Sequence, residues 1–218
     1  ATWQAELATY VEGVRRYKDS GALLWWTVGN EVELEVDIQA GNDCIWKRIE
    51  WVAQAVKAED PDHPVGTVLA GFQAPKVASI RDMCPTIEFL GMNSYAQESF
   101  NVGSELLRVN WTKPFAFTEF GPRGHWSVPR TDWGTFLEQS STEKVCTYEL
   151  THERCVGDGR CVGSFPFLLG WKWEVTGTWY GLLNTWAEVT EGCPEEGCEV
   201  EPLAKMKELF TGLAPAVP

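Results

Sequence analysis

Residues Leu23–Glu33 read LLWWTVGNEVE. Five of the first six are apolar, the composition of a strand buried on both faces. The run then breaks into Gly29-Asn30-Glu31. A strand of this kind belongs in the wall of a parallel sheet. In parallel α/β folds the polar groups that do chemistry gather where such strands end. The apolar run is therefore read as wall, and Asn30 and Glu31 as groups delivered to its mouth.

The same alternation continues on either side. Trp3, Leu7, Tyr10, Val14 and Tyr17 recur at helical spacing up to Ser20-Gly21, and the strand that follows is expected over Ala22–Asn30. Ile45, Ile49, Val52 and Val56 mark a second helix, stopped at Asp60-Pro61. HPVGTVLAG, IEFLGMNSY, KPFAFTEFG and CVGSFPFLLG read as four more strands. Helical segments stand between them at APKVASIRDMC, Glu98–Trp111 and Ser141–Cys155. Leu203, Met206, Phe210 and Leu213 stripe a last helix that stops at Gly212. The order is α, then βα five times, an α/β fold with a helix-covered parallel sheet. No GxGxxG or GxxxxGK[ST] follows any strand, so a nucleotide-binding open sheet loses its usual support against part of a (β/α)8 barrel.

Composition narrows the chemistry. With 218 residues, 44% hydrophobic and 22% charged, the chain fits one globular domain. Its 18 basic and 31 acidic residues give a formal net charge of −13, which argues against nucleic acid or anionic membranes as partners and suits a neutral substrate. No apolar run reaches the ~18 residues of a membrane span. The twelve Trp either fill a core or line a surface that stacks on flat ligands. The seven Cys include no CxxC pair. Cys155 and Cys161, and Cys193 and Cys198, lie close enough for two short disulfide loops. With the sequon NWT at Asn110, they lean towards an extracellular or secretory-pathway protein. His63, His125 and His152 have no ligand spacing, so no metal or cofactor is expected.

The strand ends carry Asn30-Glu31, then Asn93-Ser94-Tyr95, then Glu119, then Trp171, Lys172, Trp173 and Glu174. Two glutamates delivered to one mouth suit glycosidic bond cleavage, in which one carboxyl protonates the leaving oxygen and the other attacks the anomeric carbon. Tryptophan faces would stack on sugar rings. WTVGNE (Trp26–Glu31), GMNSYA (Gly91–Ala96) and FTEFG (Phe117–Gly121), with the Trp-rich end of the last strand, resemble glycoside hydrolases of clan A. The likeness is greatest to the (β/α)8 catalytic domain of glycoside hydrolase family 2 and related β-glycosidases and β-glucanases.

That resemblance implies a retaining β-glycosidase acting on an oligo- or polysaccharide. Glu31 would be the acid/base, Glu119 the nucleophile and Asn30 a contact to the sugar 2-hydroxyl. Tyr95 would orient Glu119, and Trp171 or Trp173 would floor the sugar site. Asn93, His125, Trp126 and Trp179 are further candidates for substrate contact; Trp133 and Trp186 are also loop aromatics. Trp25 and Trp26, mid-strand, are expected in the core. The five strands would be the fourth to eighth of the barrel. Strands one to three are then expected to be missing, the whole of 1–218 being one catalytic barrel domain of a longer chain. The same residues would serve a β-glucan transglycosylase, and a barrel remnant that binds carbohydrate without turnover is the reading from a different class.

Overall fold

The computed structural model describes residues 3–34, 43–183 and 201–212. Helices and strands alternate in the expected order: α1 (Trp3–Tyr17), β1 (Trp26–Asn30), α2 (Cys44–Glu59), β2 (Val65–Ala70), α3 (Ala74–Met83), β3 (Phe89–Tyr95), α4 (Val102–Arg108), β4 (Phe115–Gly121), α5 (Ser141–Val156), β5 (Cys161–Pro166) and α6 (Glu201–Thr211). Short 3₁₀ turns follow β1 at Val32–Leu34 and β3 at Ala96–Asn101. The strands form one sheet in the order β1-β2-β3-β4-β5. β1 pairs parallel with β2, and β2 with β3. Strand order equal to chain order, with a helix in each crossover, is what a βα repeat produces.

The chain divides into two compact units, with the boundary inside β3 and β4. The first runs through Asn93 and takes in Gly103–Ala116; the second holds Ser94–Val102 and the described residues from Phe117 onward.

In the first unit, β2 is buried along nearly its whole length and α2 packs Trp46, Ile49, Val52, Ala53 and Val56 inward. Gly66 is the tightest point. A Cβ there would meet the Phe89 ring at 2.5 Å, so only glycine lets β3 pack this closely. α2 ends where Asp60 donates its backbone N–H to the Val56 carbonyl, and Pro61 cannot extend it. The Asp60 carboxylate then accepts from the Trp26 indole N–H at 2.8 Å and from the backbone N–H groups of Asp62 and His63. That cap ties the end of α2 to the start of β1.

β1 is shorter than its apolar run. Its ladder starts only where the Trp26 N–H reaches the Pro64 carbonyl, while Leu23 is held in a turn by Ser20. Leu24 is exposed, and Trp25 and Trp26 are half-buried where the sequence put them in the core. The stripe on α1 is likewise largely uncovered. Val14 is its one buried member, and Tyr10 and Tyr17 face solvent.

In the second unit, α5 opens with a capping box, the Ser140 hydroxyl accepting from Glu143 N–H and the Glu143 carboxylate accepting from Ser140 N–H. α5 packs against α6, where Leu203 and Met206 are buried and Phe210 is not. Gly212, at φ +69°, closes α6 in the left-handed conformation glycine takes freely. The Cys155–Cys161 disulfide is formed; Cys193, Cys198, Trp186 and Leu213 lie outside the described residues. β5 stops at Pro166, shorter than expected, because the chain turns there and Leu168 pairs instead with the Tyr180–Leu182 segment.

Candidate active site

In the first unit, the end of β1 meets Asn93 of β3. Gly29 (φ 79°) and Glu31 (φ 52°) both adopt left-handed backbone. For glutamate that conformation is strained, and such strain collects at functional positions. The turn re-aims the chain as it leaves the strand, and the Glu31 N–H still reaches the Val68 carbonyl at 3.0 Å. The Asn93 amide nitrogen, on a side chain only 3% exposed, donates to Asn30 Oδ1 at 3.1 Å and to Glu31 Oε1 at 2.9 Å. Two amide hydrogens allow both bonds at once. Glu31 is half-buried and Asn30 exposed.

A second carboxylate, Glu33, braces this turn from below. It is buried, accepts the Ala70 N–H at 2.8 Å and has the Lys76 ammonium at 3.7 Å. Sequence reading passed over it, though the second Glu of GNEVE is the signal that marks it.

A second cluster lies in the other unit, around β4. The Tyr95 hydroxyl donates to Glu119 Oε2 at 2.7 Å. Aromatic edges hold the tyrosine ring. Trp126 stands perpendicular to it at 5.8 Å, Phe167 meets it edge-on at 6.3 Å, and Tyr180 leans against it at 5.3 Å. Ala96, directly after Tyr95, is left-handed (φ 53°). Lys172 rests over the Phe167 ring and pairs with Glu174 at 2.6 Å. That ion pair first, with the charge of Glu119 adding to it, holds the Lys172 ammonium above the ordinary lysine range.

The aromatic candidates separate by exposure. Trp126 is 64% exposed and its ring lies across Gly124, where a Cβ would collide at 2.2 Å. Trp133, Trp171 and Trp173 are also exposed. Trp179 is buried, 1% exposed, with its indole N–H on the Arg123 carbonyl at 2.9 Å. It packs with Phe136 and His125 inside the loop, so it supports that loop and offers no open face. His125 is half-buried, edge-on to Trp126 at 5.1 Å. Phe167 and Tyr180 were not singled out from the sequence, and Lys172 was named only as part of a strand end; the aromatic residues of TWYG were the available hint. Among the described residues no three His, Cys, Asp or Glu converge as metal ligands, and no helix is long and apolar enough to cross a membrane.

The fold is that of a segment of known glycoside hydrolases. The chain superposes on a β-glucuronidase of Faecalibacterium prausnitzii with a TM-score of 0.67 at 17% identity, covering 99% of this chain and 36% of that one. A β-D-glucuronidase of Dictyoglomus thermophilum gives a TM-score of 0.63 at 16% identity, over 97% and 36% of the two chains. A family 2 β-galacturonidase of Eisenbergiella tayi, bound to galacturonate, gives 0.61 at 14% identity, over 98% and 37%. The chain thus spans little more than a third of the length of these proteins. No protein-family model and no curated protein matches its sequence.

Proposed function

We propose that the chain is a catalytic barrel segment, strands four to eight, of a retaining β-glycosidase of the family 2 kind. Glu31 is its acid/base and Glu119 its nucleophile. One observation carries the reading. Glu31 directly follows β1 and Glu119 lies near the end of β4, and each is held by a hydrogen bond from the end of β3, Glu31 by Asn93 and Glu119 by Tyr95.

Glu119 attacks the anomeric carbon and forms a covalent glycosyl-enzyme while Glu31 gives its proton to the departing oxygen. The Tyr95 hydroxyl stabilises the Glu119 carboxylate before attack and again as it leaves. Glu31, now ionised, takes a proton from water, which releases the sugar with its configuration kept. Asn30 and Asn93 fix the geometry of Glu31 and supply amide groups to the sugar. Trp126, Trp171 and Trp173 offer flat apolar faces for the C–H side of sugar rings. The structural neighbours act on uronides, and Lys172 places a cation near Glu119, so a glucuronide belongs in any substrate panel. The Cys155–Cys161 disulfide supports export to an oxidising compartment.

Nuclear magnetic resonance of the first product tests the reading. A β-anomer formed from a β-glycoside supports it; an α-anomer, or binding of sugar with no turnover by the folded chain, overturns it.

A further inference from the structure

Two buried polar groups of the second unit lack a partner among the described residues: His125 Nδ1, and the Tyr180 hydroxyl as a donor, its oxygen lying towards the His125 backbone N–H. Tyr180 is the more informative. Its residue is 3% exposed, and its ring is fixed against Tyr95 at 5.3 Å and Phe167 at 5.5 Å. Its backbone is fixed as well, the Tyr180 carbonyl accepting the Leu168 N–H at 2.9 Å. Packing alone would be served as well by phenylalanine. A hydroxyl buried without an acceptor is costly, and native proteins keep such groups where something else completes them.

We propose that Tyr180 is a further substrate-binding residue, its hydroxyl donating a hydrogen bond to a hydroxyl oxygen of the sugar ring held against Glu119. This rests on the glycosidase reading above. The electrostatics favour a donor. Burial first, then the charges of Glu174 and Glu119, push the Tyr180 hydroxyl above the ordinary tyrosine range, the backbone N–H of His125 opposing them, so it keeps its proton. A sugar hydroxyl is both acceptor and donor. It can accept a hydrogen bond from the Tyr180 hydroxyl and donate its own to a carboxylate, a chain that an apolar ligand or a bare anion could not complete. His125 Nδ1, the other unpartnered atom, would meet a neighbouring hydroxyl.

The test is Tyr180→Phe, compared with the parent chain in two measurements: thermal midpoint, and rate of labelling by a 2-deoxy-2-fluoro glycosyl fluoride. The variant loses a hydroxyl that donates to no described residue, so its midpoint is expected to stay close to the parent's. Its labelling is expected to slow about ten-fold, since the bond is made only with sugar present. Labelling at the parent rate overturns the proposal. So does a slowing matched by a fall in midpoint, which would make Tyr180 a packing residue. If the folded parent gives no adduct at Glu119, the glycosidase reading fails and this inference fails with it, an outcome visible before the variant is compared.

Discussion

The Tyr95 hydroxyl donates to Glu119 Oε2 across 2.7 Å, joining the end of β3 to β4. A hydrogen bond to an ionised carboxylate contributes about 1.5–3 kcal/mol. Removing it with Tyr95→Phe leaves the ring in its aromatic cluster. Labelling of Glu119 is expected to slow roughly tenfold to a hundredfold, with the circular dichroism spectrum unchanged. Parent-like labelling kinetics would detach Tyr95 from the nucleophile.

Asn93 is the corresponding support for Glu31, and it is neutral for a reason. Asn93→Asp puts a buried carboxylate against Asn30 Oδ1 and Glu31 Oε1, with no amide hydrogens left to hold either. The expected cost is on the order of 2 kcal/mol in urea unfolding at neutral pH. Lowering the pH towards 4 should recover part of it by protonating one carboxyl. A variant as stable as the parent at pH 7 would mean the two groups do not interact.

Acid stability centres on Asp60. Burial pushes its carboxyl up, but the hydrogen bonds from the Trp26 indole, from the His63 backbone and ring, and from Asp62 outweigh it and hold the pKa at about 2, against an ordinary 3.8. A depressed carboxyl contributes stability that is full above its unfolded pKa and is lost as pH falls through the folded one. Urea midpoints should therefore drop between about pH 4 and pH 2. In Asp60→Asn the neutral-pH midpoint should already be lower, and the further acid drop smaller. An identical acid drop in the variant would assign the loss to other carboxyls.

Gly66 and Phe89 test the packing of the first unit. Gly66→Ala drives a methyl into the Phe89 ring and is expected to cost about 1–3 kcal/mol. Phe89→Leu costs stability alone. In the double variant the smaller side chain makes room for the methyl, so the two losses should sum to more than the measured total. Strict additivity would show that the alanine clash is relieved elsewhere.

Much of the fold could be read from residue periodicity. The helix of Ile49, Val52 and Val56, the wall strands around Val68 and Leu90, and the stop at Asp60-Pro61 appear where their apolar spacing and breakers put them. The strand ends were legible because parallel α/β folds send function there. This drew attention to Asn30, Glu31, Tyr95 and Glu119 before any geometry was known. The limits were equally physical. Apolar content marked Leu23–Trp25 as strand, but a ladder needs a partner, and the pairing begins only where Trp26 reaches the Pro64 carbonyl just before β2. Trp126 and Trp179 look alike in sequence, yet a single indole hydrogen bond to Arg123 puts one inside the loop and leaves the other on its surface. Glu33, Lys172 and Tyr180 take their places from turns whose side-chain directions no periodicity reports.

The most direct test of the central claim is to treat the folded chain with a panel of 2-deoxy-2-fluoro glycosyl fluorides, neutral sugars and a glucuronide included, and to map the labelled peptide by mass. The predicted result is one sugar adduct on Glu119, absent from Glu119→Gln and, in Glu31→Ala, still formed because fluoride departs without a proton but released more slowly. An adduct elsewhere, or none on folded protein across the whole panel, would contradict the assignment of Glu119 as the nucleophile of a retaining glycosidase.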